Sequence, residues 1–340
     1  MVFARRLFVT AICCFGITAG AASLRCDVCG ERLGRQRWTS GGKTVCSKAC
    51  VDALRPRCSV CSTSIRGEYN KADGKVFCGK ACFLTTLPKC EICKSLIEKG
   101  VAVTRHKYCE QCADKQPACF SCGLPAAYPT RLKDGREICN NCSRWGVKTQ
   151  EMAERNYERA RRQLEAWTSL KVESLPELVL VDKTEMERLS KKLRKTDSPI
   201  SIRGLYSRQT MMTKRGMFGA WKEDPSLDRE KIYIIDHLND EIFRVAATHE
   251  LMHDLIYEHF PRLKNAPLWV HEGICQQASA ELCRRRNYGD TLYGLDHCPD
   301  PDYGDGYRYI KSLTGFEGWH ALRRWMETVD VATLPEAAPK

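Results

Sequence analysis

The sequence predicts an α+β chain in which an array of small cysteine-built modules precedes a larger domain of mixed helices and strands. Three observations lead there. Sixteen cysteines recur in four evenly spaced blocks, a strand candidate is followed by a long helical apolar pattern, and 43% apolar residues over 340 positions is enough for an ordinary core. The 21 cysteines, about 6% of the chain, are several times ordinary usage, while 14 prolines and 23 glycines are too few for a collagenous or low-complexity filament.

The chain opens like an address. Met1 to Ala22 carries Arg5 and Arg6, an apolar run from Leu7 to Ile17, and the small residues Ala19, Gly20 and Ala21. This is the pattern of a cleavable secretory leader, residues 1–21, too short to span a bilayer. Cleavage near Ala21 removes Cys13 and Cys14. Arg5-Arg6-Leu7-Phe8 also resembles a twin-arginine signal, whose pathway exports proteins already folded. No later segment reaches 18 apolar residues, so the expectation is an exported protein, periplasmic or secreted, with no membrane span after cleavage.

Residues 25–145 hold the blocks: Cys26, Cys29, Cys46, Cys50; Cys58, Cys61, Cys78, Cys82; Cys90, Cys93, Cys109, Cys112; Cys119, Cys122, Cys139, Cys142. Each reads CxxC, then 15 or 16 residues, then CxxC or CxxxC, and the blocks start 32, 32 and 29 residues apart. Gly42-Lys43-Thr44-Val45, Gly74-Lys75-Val76-Phe77, His106-Lys107-Tyr108 and Gly135-Arg136-Glu137-Ile138 supply a turn and a short strand before each second pair. Units of this size bury too little apolar area to fold alone, and a four-thiolate zinc site supplies the difference, on the order of 10 kcal/mol. A disulfide framework is the competing reading for an exported chain. Eight close cysteine pairs, six CxxC and two CxxxC, in a regular array argue against it.

The formal charge of +12 raises the question of nucleic acid. Residues 25–150 hold 23 Lys/Arg against 11 Asp/Glu, whereas residues 151–340 hold 29 against 31. Each zinc with four thiolates carries about −2, so four sites bring the basic half down to about +4. The basic composition thus counterbalances anionic metal sites and disfavours nucleic acid as the partner. The blocks resemble LIM-type zinc fingers of treble-clef or zinc-ribbon build. They depart from LIM domains in having cysteine at every ligand position and six or seven residues between blocks, which leaves interleaved ligation open.

Residues 146–172 follow, with Met152, Ala153, Tyr157, Ala160, Leu164 and Trp167 at helical spacing, and read as a connecting helix. The domain proper is placed at 173–330, with a tail at 331–340. Within it, Lys231-Ile232-Tyr233-Ile234-Ile235 is a strand candidate, and Asp240 to Phe260 is a helical stretch containing His249-Glu250-Leu251-Met252-His253. Four residues advance a helix by about 400°, so both imidazoles leave one face and can grip one ion, with Glu250 placed to move protons as general base.

The third ligand has two main candidates. His259 needs a helix break after His253, and Ile256 stands where that break requires glycine, so its side chain is expected to point elsewhere. Glu272 opens a second amphipathic stretch, with 18 residues between it and His253, and is preferred over the local rival His271. Two histidines and such a glutamate are the set used by gluzincins. Tyr307, Tyr288, Tyr303 and His297 are downstream candidates for the oxyanion donor, with Tyr307 chosen. Met217-Phe218-Gly219-Ala220-Trp221 is a candidate edge strand for substrate. Cys283 with Cys298 allows a disulfide that leaves Cys275 a buried thiol.

Gly204-Leu205 with Ser207 and Gln209, the histidine helix, Glu272-Gly273-Ile274-Cys275-Gln276 and Tyr303-Gly304-Asp305-Gly306-Tyr307-Arg308 together resemble the peptidase domain of plant LIM-domain, ubiquitin-activated growth-limiting peptidases, over Leu175 to Met326. The resemblance implies a zinc endopeptidase with His249, His253 and Glu272 as ligands and Glu250 as base. It implies one catalytic zinc besides about four structural ones, a protein or peptide substrate, and a protein partner or regulation on the cysteine modules. No ubiquitin-binding helix is seen, so activation by ubiquitin is not carried over. The alternative is a non-catalytic zinc-finger scaffold with a structural or degenerate metal site.

Overall fold

The computed structural model describes residues 25–97, 100–103, 106–194, 203–209, 212–214, 221–223, 229–314 and 318–339. The expected leader, residues 1–21, and residues 217–220 of the expected edge strand lie outside these. The chain is of mixed α+β build and forms two compact units, Met1–Gly100 with Lys107–Cys109, and Val101–His106 with Glu110–Lys340.

The four blocks share one plan. An antiparallel bridge, Arg25 to Arg32, Arg57 to Ser64, Lys89 to Leu96 and Ala118 to Pro125, closes a turn around the first cysteine pair. The residue after that pair has φ near +60° to +75° in every block, at Gly30, Ser62, Lys94 and Gly123. A hairpin follows: β1 (Trp38–Ser40) with β2 (Lys43–Val45), β3 (Asn70–Ala72) with β4 (Lys75–Phe77), β5 (Gly100–Val103) with β6 (His106–Cys109), and β7 (Thr130–Arg131) with β8 (Glu137–Ile138). A short helix then carries the last cysteine: α1 (Lys48–Ala53), α2 (Lys80–Leu84), α3 (Glu110–Lys115) and α4 (Asn140–Trp145). The residue before the third cysteine, Val45, Phe77, Tyr108 or Ile138, is a large buried side chain in every block, joined by Ile65 in the second and Ile97 in the third. One or two such side chains cannot offset the conformational entropy of about 25 residues, so the metal has to.

The fourth block belongs to the second unit, which moves the expected boundary at 145/146. Val147 pairs with Leu238 in a bridge whose N–H donors reach carbonyls at 2.7 Å on both sides. The Asn239 N–H donates to Ser121 Oγ at 2.8 Å, and the Lys183 N–H to Asp134 Oδ2 at 3.0 Å. The expected connector is also corrected. Helix α5 (Gln150–Thr168), capped by Thr149, buries Ala153, Tyr157, Ala160 and Leu164 in the main core, so its apolar stripe is a core face and not the side of a tether.

A three-stranded sheet and a helical layer complete this unit. β9 (Glu177–Val181) is followed by α6 (Lys183–Arg194), β10 (Gly204–Gln209), the small hairpin β11 (Met212–Lys214) and β12 (Trp221–Glu223), and β13 (Arg229–Ile235). The sheet order is β10-β13-β9, with β13 antiparallel to β10 and parallel to β9. β13 leads into α7 (Asp240–His259), whose N-cap Asn239 accepts from the Ile242 N–H at 2.8 Å and whose first turn carries Asp240 and Glu241, the favourable sign for that end of the helix dipole. α8 (Leu268–Arg286), α9 (Gly289–Asp296), a π turn at Pro301–Asp305, α10 (Gly306–Thr314) and α11 (Trp319–Thr328) follow. The expected tail is docked instead: Trp269 Nε1 donates to the Pro335 carbonyl at 2.9 Å, and Val331, Leu334 and Ala338 pack on the core.

Candidate metal centres

Each cysteine block gathers its own four sulfurs, which excludes interleaved ligation. Neighbouring Sγ atoms are 3.4 Å apart for Cys29 and Cys46, 3.7 Å for Cys46 and Cys50, 3.6 Å for Cys61 and Cys78, 3.7 Å for Cys93 and Cys109, and 3.9 Å for Cys122 and Cys139. Sulfurs about 2.3 Å from a zinc at tetrahedral angles lie about 3.8 Å apart, whereas a disulfide would bring them to about 2.05 Å. The described cysteines form no disulfide, Cys283 with Cys298 included. The backbone N–H groups of Cys61 and Cys78 pull the Cys58 thiol down to about 6, while Cys78 and Cys61 push Cys82 up to about 12. Four crowded thiols of this kind ionise together only around a cation. The tetrads therefore suit about four structural zinc ions.

The fifth cluster stands on α7 and α8. His249 and His253 share a face of α7, with ring centroids 5.1 Å apart, and Glu272 comes from the first turns of α8. The Glu272 carboxylate is 1% exposed, with Oε2 lying 2.9 Å from His249 Nε2 and 3.6 Å from His253 Nε2. Ligand atoms about 2.1 Å from an ion at tetrahedral angles are about 3.4 Å apart, so the two distances bracket that spacing. Burial opposes ionisation of Glu272, but the two imidazoles hold its carboxyl well below the usual range. His253 Nε2 and Glu250 Oε2 are buried with no hydrogen-bond partner, the state of donor atoms prepared for something other than a protein group. These residues fit a divalent ion.

The rival ligands are turned away. His259 Nε2 lies 2.7 Å from the Lys171 carbonyl oxygen. Burial and the neighbouring His253 push His271 down to about 4, and its hydrogen bond is with the Leu263 backbone. Tyr307, the chosen oxyanion donor, is corrected: it is fully buried, its hydroxyl donates to Asp296 Oδ1 at 2.8 Å and receives Arg284 Nη2 at 3.2 Å, and it is held by that pair. Tyr303 instead stacks its ring on His249, with centroids 5.8 Å apart. Tyr206 on β10 stacks on His253 and donates to Asp254 Oδ1 at 3.1 Å, and burial with nearby Glu258 and Glu230 pushes the Asp254 carboxyl up to about 8.

Sequence reasoning left one neighbour out. The Cys275 Sγ and the imidazole nitrogens of His249 and His253 lie within 4.8 Å of one another. Its helical spacing from Glu272, three residues on, was the available signal.

Gly204 opens β10 directly against Glu250. A Cβ there would lie 2.6 Å from Glu250 Oε1 and 2.8 Å from its Cγ. Gly204→Ala therefore leaves the backbone content but moves the carboxylate. It should lower stability by about 1–3 kcal/mol, the cost of overpacking a buried site, and, on a peptidase reading of the site, lower turnover by about 10²-fold, the penalty for a displacement near 1 Å. Equal turnover in the variant would show that this position of Glu250 is immaterial.

Among known proteins, no family model matches the chain and no curated sequence matches it.

Proposed function

We propose that the second unit is a zinc metallopeptidase of gluzincin type acting on a protein or peptide substrate, with His249, His253 and Glu272 as metal ligands and Glu250 as general base. The observation that carries this reading is the buried Glu272 carboxylate set against the Nε2 atoms of both histidines, at 2.9 and 3.6 Å. A divalent ion held there would supply Lewis acidity toward a peptide carbonyl and bring the pKa of a water toward about 7. Glu250 takes the proton of the attacking water and returns it to the leaving amine. Tyr303, stacked on His249, replaces Tyr307 as the candidate oxyanion donor. β10, which pairs with β13 alone among the described residues, offers an edge beside Glu250 for an extended substrate backbone.

The resemblance to plant LIM-domain peptidases supports the same roles through Gly204-Leu205, His249 to His253 and Glu272-Gly273-Ile274. The domain scheme, with LIM-like modules for partner binding or regulation and a leader directing export to the periplasm or beyond the cell, belongs to this proposal. A second reading, a scaffold with a structural fifth metal, draws on the closeness of Cys275, because four protein ligands mark structural sites. Metal analysis and proteolysis together separate the two. The purified chain should hold about five zinc ions, four in tetrads and one on α7 and α8. Stripping the most weakly held ion should stop hydrolysis of an unfolded protein substrate, and adding zinc back should restore it. Four ions, or hydrolysis indifferent to the chelator, would remove the peptidase reading.

A further inference from the structure

We infer that Cys275 is a fourth, displaceable protein ligand of the centre formed by His249, His253 and Glu272, a thiolate that holds it in a closed, latent form. The inference rests on the metal-centre reading above. Each helix then contributes two donors: α7 gives His249 and His253 at i and i+4, and α8 gives Glu272 and Cys275 at i and i+3, so each pair shares one face of its helix. Cys275 has no exposed surface, and its sulfur lies within 4.8 Å of the nitrogens of both histidines. A nitrogen about 2.1 Å and a sulfur about 2.3 Å from one ion at tetrahedral angles are about 3.6 Å apart, a spacing inside the 4.8 Å that bounds the separations of Cys275 Sγ from the two imidazoles.

Two features keep this from being a purely structural site. Glu250 is 3% exposed, and its Oε2 has no hydrogen-bond partner. A carboxylate is costly to bury in that state, and a closed structural metal gives it nothing to do. A ligand that leaves reconciles the two facts. Rotation of Cys275 about χ1 would withdraw the sulfur and leave room for a water molecule, and the released thiolate would take its proton from the water that enters, so that no electrons are transferred. The same rotation returns the centre to its closed form when substrate is gone.

Cadmium NMR of the full chain loaded with cadmium tests this, because each thiolate ligand moves the metal resonance downfield and every site gives its own signal. The four tetrads should resonate together far downfield, and the fifth site at an intermediate position that reports one sulfur. Cys275→Ser should move the fifth signal upfield and leave the other four in place. Cys283→Ser, on the same helix eight residues on, should move none. With zinc in place of cadmium, Cys275→Ser should also raise peptide turnover. A fifth wild-type resonance at the position of nitrogen and oxygen ligands alone overturns the role of Cys275 and leaves the centre standing, and it is read without any variant. An unmoved fifth signal in Cys275→Ser does the same. Absence of a fifth signal overturns the centre itself.

Discussion

Glu250→Gln is expected to lower peptide turnover by about 10²–10⁴-fold, the range for losing a general acid–base catalyst, while the chain keeps its zinc. The substitution keeps the volume and planarity of the side chain, and by exchanging a carboxylate oxygen for an NH2 group it removes the charge and the capacity to accept a proton. The surroundings tolerate it. Glu250 Oε2 has no hydrogen-bond partner to lose, and Oε1 packs near Gly204 and not against a cation in the described contacts. The ligand atoms of His249, His253 and Glu272 are untouched, so metal content separates the two roles a buried glutamate can have beside a metal. The measurement is kcat/KM on a fluorogenic peptide alongside zinc analysis of the same preparation. Zinc lost together with activity would make Glu250 part of the metal-holding set, and unaltered turnover would end its role as base.

Local spacing made part of this legible and tertiary contact hid the rest. The four tetrads follow from sequence because their ligands sit on one turn and one hairpin, whose geometry is set within about 25 residues: the left-handed residues Gly30 and Gly123 and the turn glycines Gly42, Gly74 and Gly135 are all local signals. The pairing of His249 with His253 follows equally from helix pitch. Glu272 is legible through the gluzincin-like Glu272-Gly273-Ile274 segment and the 18 residues between it and His253, although its helix begins earlier, at Leu268. Cys275 was missed although three residues from Glu272 is the same helix face, because it was weighed only as a disulfide candidate. Tyr307 was misread because its partners, Asp296 and Arg284, come from two other helices. The stripe of α5 was visible as apolar, but what covers it, α7 and the sheet, is decided by long-range packing.

Arg136 is the clearest case of such a hidden contact, and Arg136→Ala should destabilise the second unit by about 3–5 kcal/mol, the loss typical of breaking a buried ion pair from one side. From sequence it is one more basic residue in a cysteine-module hairpin. In the fold its side chain is 1% exposed and bonds to Asp134 and, a hundred residues along, to Asp236: Nε reaches Asp134 Oδ2 at 2.8 Å, Nη1 the Asp236 carbonyl at 2.8 Å, and Nη2 the Asp236 carboxylate. Its guanidinium also lies over the Phe120 ring at 5.1 Å. Removing it leaves Asp134, with a side chain 5% exposed, without its cation and near Asp236, whose side chain is 22% exposed. Burial opposes ionisation of Asp134, but Arg136 and the Lys183 N–H hold its carboxyl at about 2. A carboxyl whose folded value is depressed in this way stabilises fully above its unfolded value, about 3.8, and that contribution is lost as pH falls toward 2. Denaturant midpoints of wild type and Arg136→Ala should therefore differ at neutral pH and converge in acid. A difference below about 1 kcal/mol at neutral pH would place Arg136 with exposed surface pairs and refute the buried assignment. The effect should reach the proposed metal centre as well, because Asp236 and Asn239, whose N–H donates to Ser121 of the same module, immediately precede the helix that carries His249, Glu250 and His253.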